Sequence, residues 1–106
     1  MGEEDTKEVY SIISLNFELQ KADVLTIDDV KRILGARIRE LLDKNVELLV
    51  SIIYRIDLSQ KKIDEIFKNE SKDEIALQIA DAVIERQLLK VQTRKLYKNK
   101  GDKLEE

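Results

Sequence analysis

The fold is decided by residues 26–56, which read TIDDVKRILGARIRELLDKNVELLVSIIYRI. Apolar side chains recur along this stretch at intervals that average close to a helical turn of ~3.6 residues. The main positions are Ile27, Val30, Leu34, Ile38, Leu41, Leu48, Ile52 and Ile56. Thr26, followed three residues later by Asp29, is typical of a helix N-cap. The stretch therefore predicts one long helix from residue 26 to residue 56.

Asn45 is the one polar residue in this apolar stripe, and it leaves an alternative open. The alternative is a break at Asp43-Lys44-Asn45, which would divide the stretch into two helices. The apolar positions keep the same helical phase on both sides of Asn45, and this favours a continuous helix.

Two further helices are indicated after residue 56. Ser59 can cap a short helix over residues 60–68, and Ser71-Lys72-Asp73-Glu74 is a capping box before an apolar run. No proline interrupts the last segment, so a helix is predicted from residue 72 to about residue 98.

The segment 9–25 carries two patterns at once. Ile13, Leu15 and Phe17 alternate with polar residues, which is the period of a strand. Val9, Ile13 and Phe17 also fit one face of a helix. Since the chain offers a strand no obvious partner, a helix or an irregular packed segment is favoured.

These elements predict an all-α fold. Two long helices joined by a short connecting helix most simply form an antiparallel hairpin. At 106 residues the chain is short enough for one domain. We predict a disordered N-terminus over residues 1–8, a helical domain over 9–98 and a flexible tail over 99–106.

The last helix predicts self-association, because it is apolar on two opposite sides. One side packs on the hairpin, and the other requires a second partner. A second copy would complete a helical bundle as a homodimer. The predicted contact residues are Leu77, Ile84, Leu88 and Val91. The alternative is that residues 9–25 and 60–68 cover this side within one chain.

The composition excludes several classes of function. There is no cysteine and no histidine, so the chain has no disulfide scaffold, no thiolate or imidazole metal site and no Ser-His-Asp triad. Its three glycines form no phosphate-binding loop. Asp81 and Glu85 share a helix face and could bind a metal ion together with a second pair of carboxylates on a facing helix. The candidates for that second pair are Glu40, Asp43 and Glu47, which are equally well explained as a solvated helix face. We therefore predict no enzyme activity, no metal and no cofactor.

The charge of the chain is unevenly placed. Residues 1–85 hold 12 basic and 19 acidic residues, whereas residues 86–103 hold seven basic residues and one acidic residue. A basic helix can bind phosphates, so nucleic-acid binding is the alternative function. The candidate contacts are Arg86, Lys90, Arg94, Lys95 and Lys98. The competing interpretation is that these cations stabilise a helix C-terminus or pair with acidic neighbours.

Tyr54-Arg55-Ile56-Asp57 lies at the predicted corner between helices. Such a group can recognise a partner, but it is more often a hydrogen-bonded helix end. This block, together with residues 25–29 and with Ile84-Glu85-Arg86-Gln87, resembles small, uncharacterised helical proteins of bacteria of the Bacteroidetes type. The resemblance covers residues 25–95 and implies a bacterial protein without implying an activity.

The sequence thus predicts a non-enzymatic helical protein-protein interaction module that self-associates, with a protein partner still to be identified. The lack of cysteine fits a reducing cytoplasm. No apolar run approaches the ~20 residues that span a bilayer, so no contact with a membrane is expected.

Overall fold

The computed structural model describes residues 3–20 and 26–105, with side chains over 5–20 and 26–96. Within these ranges the chain forms five helices and no strand, which confirms the all-α prediction. The helices are α1 (Glu3–Phe17), α2 (Ile27–Lys44), α3 (Val46–Ile56), α4 (Gln60–Phe67) and α5 (Lys72–Glu105).

The first helix, α1, decides between the two patterns seen in the N-terminal segment. Val9, Ile13 and Phe17 are fully buried at intervals of four residues, whereas Leu15 is 82% exposed. A strand would place Leu15 on the same face as Ile13 and Phe17. The predicted helix is therefore confirmed up to Phe17, and residues 21–25 lie outside the described residues.

Helix extends further towards both ends of the chain than the sequence predicts. The first helix begins at Glu3, within the segment 1–8 that is predicted to be disordered, and Thr6 of this segment is buried. The last helix continues to Glu105 through Gly101, past its predicted end near residue 98. A glycine costs a helix only about 1 kcal/mol relative to alanine, so it does not by itself end one.

Asn45 breaks the long helix, so the prediction of one continuous helix over residues 26–56 is wrong. The backbone of Asn45 is not helical, with φ −158° and ψ 72°. Its side-chain oxygen accepts a hydrogen bond from the Leu48 N–H at 3.2 Å, and its own N–H donates to the Leu41 carbonyl at 2.8 Å. Asn45 therefore ends α2 and caps α3. Its local hydrogen bonds interrupt the helix even though the apolar positions on both sides keep one helical period.

The predicted N-caps are present in the structure. The Thr26 hydroxyl accepts the Asp29 N–H, and the Asp29 carboxylate accepts the Thr26 N–H, both at 3.2 Å. The Ser59 hydroxyl accepts the Lys62 N–H at 3.4 Å and starts α4. Each cap satisfies amide groups that the first turn of a helix leaves without a partner.

The helix α5 runs antiparallel to α2. Lys31 binds Asp81 at 2.9 Å, and about two turns further along α2 Arg39 binds Asp73 at 2.8 Å. Residues later in α2 therefore pair with residues earlier in α5, as they do in antiparallel helices. These two helices supply much of the fully buried core, and the residues are Val30, Leu34, Ile38, Ile79, Val83 and Val91.

Both apolar sides of α5 are covered within the chain. α1 and α4 pack against α5 in addition to α2. Ala80, Ile84 and Val91, which belong to the side that the sequence assigned to a second copy, are buried in this core. The alternative in which the N-terminal segment and the short helix cover that side is therefore the arrangement seen here.

Gly35 is buried in α2, and the Gly35→Ala variant is expected to be more stable than the wild type by about 0.5–1 kcal/mol. Among the described residues, a Cβ at this position would meet the Leu77 Cδ2 atom alone, at an ordinary contact distance of 3.6 Å. Alanine therefore lowers the entropic cost of the helix without a clash. Urea denaturation followed by circular dichroism measures the difference, and an unfolding midpoint below that of the wild type would show that the site lacks this space.

Candidate protein-interaction surface

The contact residues predicted from sequence divide into two groups in the structure. Ile84 and Val91 are buried in the core of the chain, so they have no surface to offer a partner. Leu77 is 43% exposed and Leu88 is half-buried. The face on which all four lie is therefore largely covered by the chain itself.

A different apolar surface is open, and it lies between α3 and α4. It is a groove of about 690 Å³ that both helices line. Tyr54 is 72% exposed and Val50 is 40% exposed, although both are bulky side chains with a large apolar area. Exposed apolar groups that line one concave surface are typical of protein contact sites. Its floor and walls include Val50, Tyr54, Leu58, Phe67, Asp57 and Asp64, and we call it the acidic groove.

The polar groups of the acidic groove give it a negative charge. Asp57 and Asp64 line it, and among the described residues no lysine or arginine does. Asp64 accepts a hydrogen bond from the Gln60 amide at 2.8 Å, which leaves its charge in place. Asp57 ends α3 in the left-handed conformation, at φ 65°, and its N–H donates to the Tyr54 carbonyl at 3.3 Å. The Tyr54–Asp57 corner is thus a hydrogen-bonded helix end and also the wall of a groove.

A second concave surface adjoins the acidic groove on the side of α5. Asp57, Leu58 and Ser59 line both of them, and the second one continues to Arg86 and Leu89. Arg86 lies 3.8 Å from Asp57, a distance that makes a weak ion pair. Its Nε atom is buried and makes no hydrogen bond with any described residue.

A third, shallow surface follows along α5 and is basic. Its lining residues are Arg86, Leu89, Lys90, Thr93 and Arg94, which we call the basic patch. Leu89 is 55% exposed at its centre. The patch carries three cations and no carboxylate among its lining residues in the described part of the chain.

Ion pairs with the acidic helix α1 reduce the positive charge that the C-terminal helix offers to a nucleic acid. Arg94 binds Glu8, and Lys95 binds Asp5. Lys90 makes no ion pair with the described residues. The side chain of Lys98 lies outside the described residues. Part of the predicted basic stripe therefore forms ion pairs that hold α1 against α5.

The carboxylates considered as a catalytic pair also serve as ion-pair partners. Asp81 binds Lys31 at 2.9 Å, and Glu85 binds Lys62 at 3.3 Å. Glu40, one of the proposed facing carboxylates, binds Arg37. In the described part of the chain no three acidic side chains come together where a metal ion could be held.

Asp43 belongs to a cluster of charged side chains at the C-terminal end of α2 and the N-terminal end of α5. Arg39 donates to its carboxylate, and Lys72 donates to it at 2.9 Å. The hydrogen bonds from Arg39 and Lys72 lower the pKa of Asp43 from 3.8 to about 2. The hydrogen bond that Lys31 donates to the Asp81 carboxylate likewise raises the pKa of Lys31 above its ordinary value.

This cluster makes the stability of the protein depend on acidic pH. Because the pKa of Asp43 is lower in the folded chain than in the unfolded chain, its stabilising effect is complete above about pH 5 and is lost as the pH falls towards 2. We expect the stability difference between the wild type and Asp43→Asn to shrink over this range, as measured by urea denaturation at successive pH values. A difference that stays constant from pH 6 to about pH 2 would contradict the assignment.

None of the described helices combines the length and the hydropathy that crossing a bilayer requires. Comparison of the chain with protein-family models, with curated proteins and with solved structures finds no match. The resemblance of residues 25–95 to small bacterial helical proteins therefore stays a prediction.

Proposed function

We propose that the chain is a non-enzymatic helical module that acts through protein contacts and associates with itself as a homodimer. The observation that carries this proposal is the open acidic groove, in which Tyr54 is 72% exposed. Covering such side chains releases roughly 25 cal/mol for each Å² of apolar surface removed from water. A protein partner can cover this groove with an apolar surface of its own.

The chemistry around the groove supports contact rather than catalysis. Tyrosine is among the residues that contribute most to protein-protein binding, because it combines a large apolar area with a hydrogen-bonding hydroxyl. The acidic groups near it are bound to Gln60 and Arg86 rather than arranged as an acid and a base around a substrate site. In this proposal α2 and α5 form the hairpin that α3 and α4 connect, and a second copy adds its helices at the acidic groove.

Sedimentation equilibrium of the wild-type chain over micromolar to millimolar concentrations tests the proposal. The expected mass rises with concentration to twice the 12.3 kDa of one chain and then stays constant. A mass of 12.3 kDa at every concentration would contradict self-association.

A further inference from the structure

We infer that the homodimer forms through a self-complementary surface, in which the acidic groove of each copy binds the basic patch of the other. This inference rests on the proposed self-association and names the surface that performs it. The occupant of the groove is therefore a second copy of this chain, and the contact occurs twice in each dimer.

The two halves of this surface are continuous. The acidic groove and the concave surface beside it share Asp57, Leu58 and Ser59. That surface and the basic patch share Arg86 and Leu89. The acidic and basic halves thus adjoin each other, with the Asp57–Arg86 pair between them.

The arrangement of charge on this surface is self-complementary. In a contact with two-fold symmetry every pairing occurs twice. If one residue of the first copy faces a second residue of the other copy, then the same two residues also face each other with the copies exchanged. A surface with one acidic and one basic half satisfies this condition when the two-fold axis passes between the halves. Asp57 and Asp64 then lie opposite Arg86, Lys90 and Arg94 of the other copy, and opposite charges are brought together.

Both halves carry exposed apolar side chains among their charged groups. Tyr54 and Val50 lie in the acidic groove, and Leu89 lies in the basic patch. An apolar centre with charged groups around it is the usual build of a protein contact. The apolar groups supply affinity and the charges set the orientation.

Two single substitutions test the surface, one in each half. In Tyr54→Lys a cation in the groove faces the basic patch of the other copy, and in Leu89→Glu an anion in the patch faces the acidic groove. Both positions are mainly exposed, so the helical fold should be kept, as circular dichroism will show. We expect each variant to be monomeric at the concentration where the wild type is a dimer, with dissociation constants raised at least tenfold.

An equimolar mixture of the two variants provides the decisive readout. In a mixed dimer one contact joins the intact groove of Leu89→Glu to the intact patch of Tyr54→Lys. The other contact joins the introduced lysine to the introduced glutamate. The mixture should therefore regain the mass of two chains, although neither variant does so alone.

One control variant and three contrary results check this surface. Leu15→Glu changes an exposed leucine on α1, outside this surface, and should leave the dimer unchanged. If the wild type is a dimer and both variants remain dimeric, this surface is overturned while self-association stands. Variants that are monomeric alone and in the mixture would overturn the pairing of groove with patch, and masses beyond two chains would overturn two-fold symmetry.

If either variant loses its helical signal, a milder pair replaces it. Asp64→Lys and Lys90→Glu change exposed residues in the two halves without altering the apolar centre. The same restoration on mixing is expected, and its absence with folded proteins overturns the inference.

Discussion

The Ile84→Asp variant is expected to lose a large part of the stability of the fold at 25 °C. Ile84 is buried in the core that α5 shares with the other helices. The substitution removes a buried apolar side chain and places a carboxylate where water does not reach, which together cost at least about 4 kcal/mol. This is a large part of the roughly 5–15 kcal/mol that holds a small domain together.

Circular dichroism and urea denaturation measure this loss, and Leu77→Asp is its matched control. Leu77 lies two turns earlier on the same helix but is 43% exposed, so a carboxylate there stays in contact with water. We expect Leu77→Asp to remain folded, with a modest decrease in stability. A folded Ile84→Asp variant that differs from the wild type only in oligomer mass would place Ile84 at a contact between copies instead of in the core.

The Phe17→Ala variant is expected to lower the free energy of unfolding by about 3–5 kcal/mol. Phe17 is fully buried at the end of α1, and its carbonyl accepts a hydrogen bond from the Arg37 Nε at 3.0 Å. Removing the ring leaves a cavity where α1 meets α2 and also loses the transfer energy of the aromatic group. Chemical denaturation curves give the difference directly.

Leu15→Ala is the control for this prediction, and it separates a helix from a strand. In a helix Leu15 faces solvent, so the change should alter stability by no more than about 0.5 kcal/mol. In a strand Leu15 would share the buried face with Phe17, and the two variants would lose similar amounts. Equal losses would therefore contradict the helical assignment of α1.

Local signals in the sequence predict part of this fold well. The caps at Thr26 and Ser59 depend on side chains three residues from the amide groups they satisfy, so they can be predicted without knowing the tertiary structure. The break at Asn45 also uses local bonds, yet the helical phase continues across it. Phase alone predicted a single helix because α2 and α3 face the same core.

The interaction surface could be predicted only in part, because it depends on which element covers α5. The helical wheel shows that α5 is apolar on two sides, but not that α1 packs against it. The corner at Tyr54 was a signal for the acidic groove. Val50 precedes that corner by a turn and Phe67 lies on the next helix, so the sequence does not bring these residues together.

The proposed pairing also relates the uneven charge of the sequence to its structure. The acidic body contains the groove, and the basic end of α5 contains the patch. The same cations serve two purposes in this account, since Arg94 binds Glu8 within the chain and faces an acidic groove between chains. Association should consequently weaken as salt concentration rises, because exposed charges are screened over about 10 Å at 0.1 M salt.

The most direct test is an intermolecular relaxation measurement by nuclear magnetic resonance. The chain has no cysteine, so Lys61→Cys provides a single attachment site for a nitroxide label on α4, next to the groove but not lining it. This labelled chain is mixed with isotope-enriched wild-type chain at a concentration where the mass is that of a dimer. We predict that the amide signals of Leu89, Lys90 and Thr93 in the enriched chain are broadened, while those around Leu15 are unchanged. Broadening confined to α3 and α4 of the enriched chain would contradict the pairing of groove with patch.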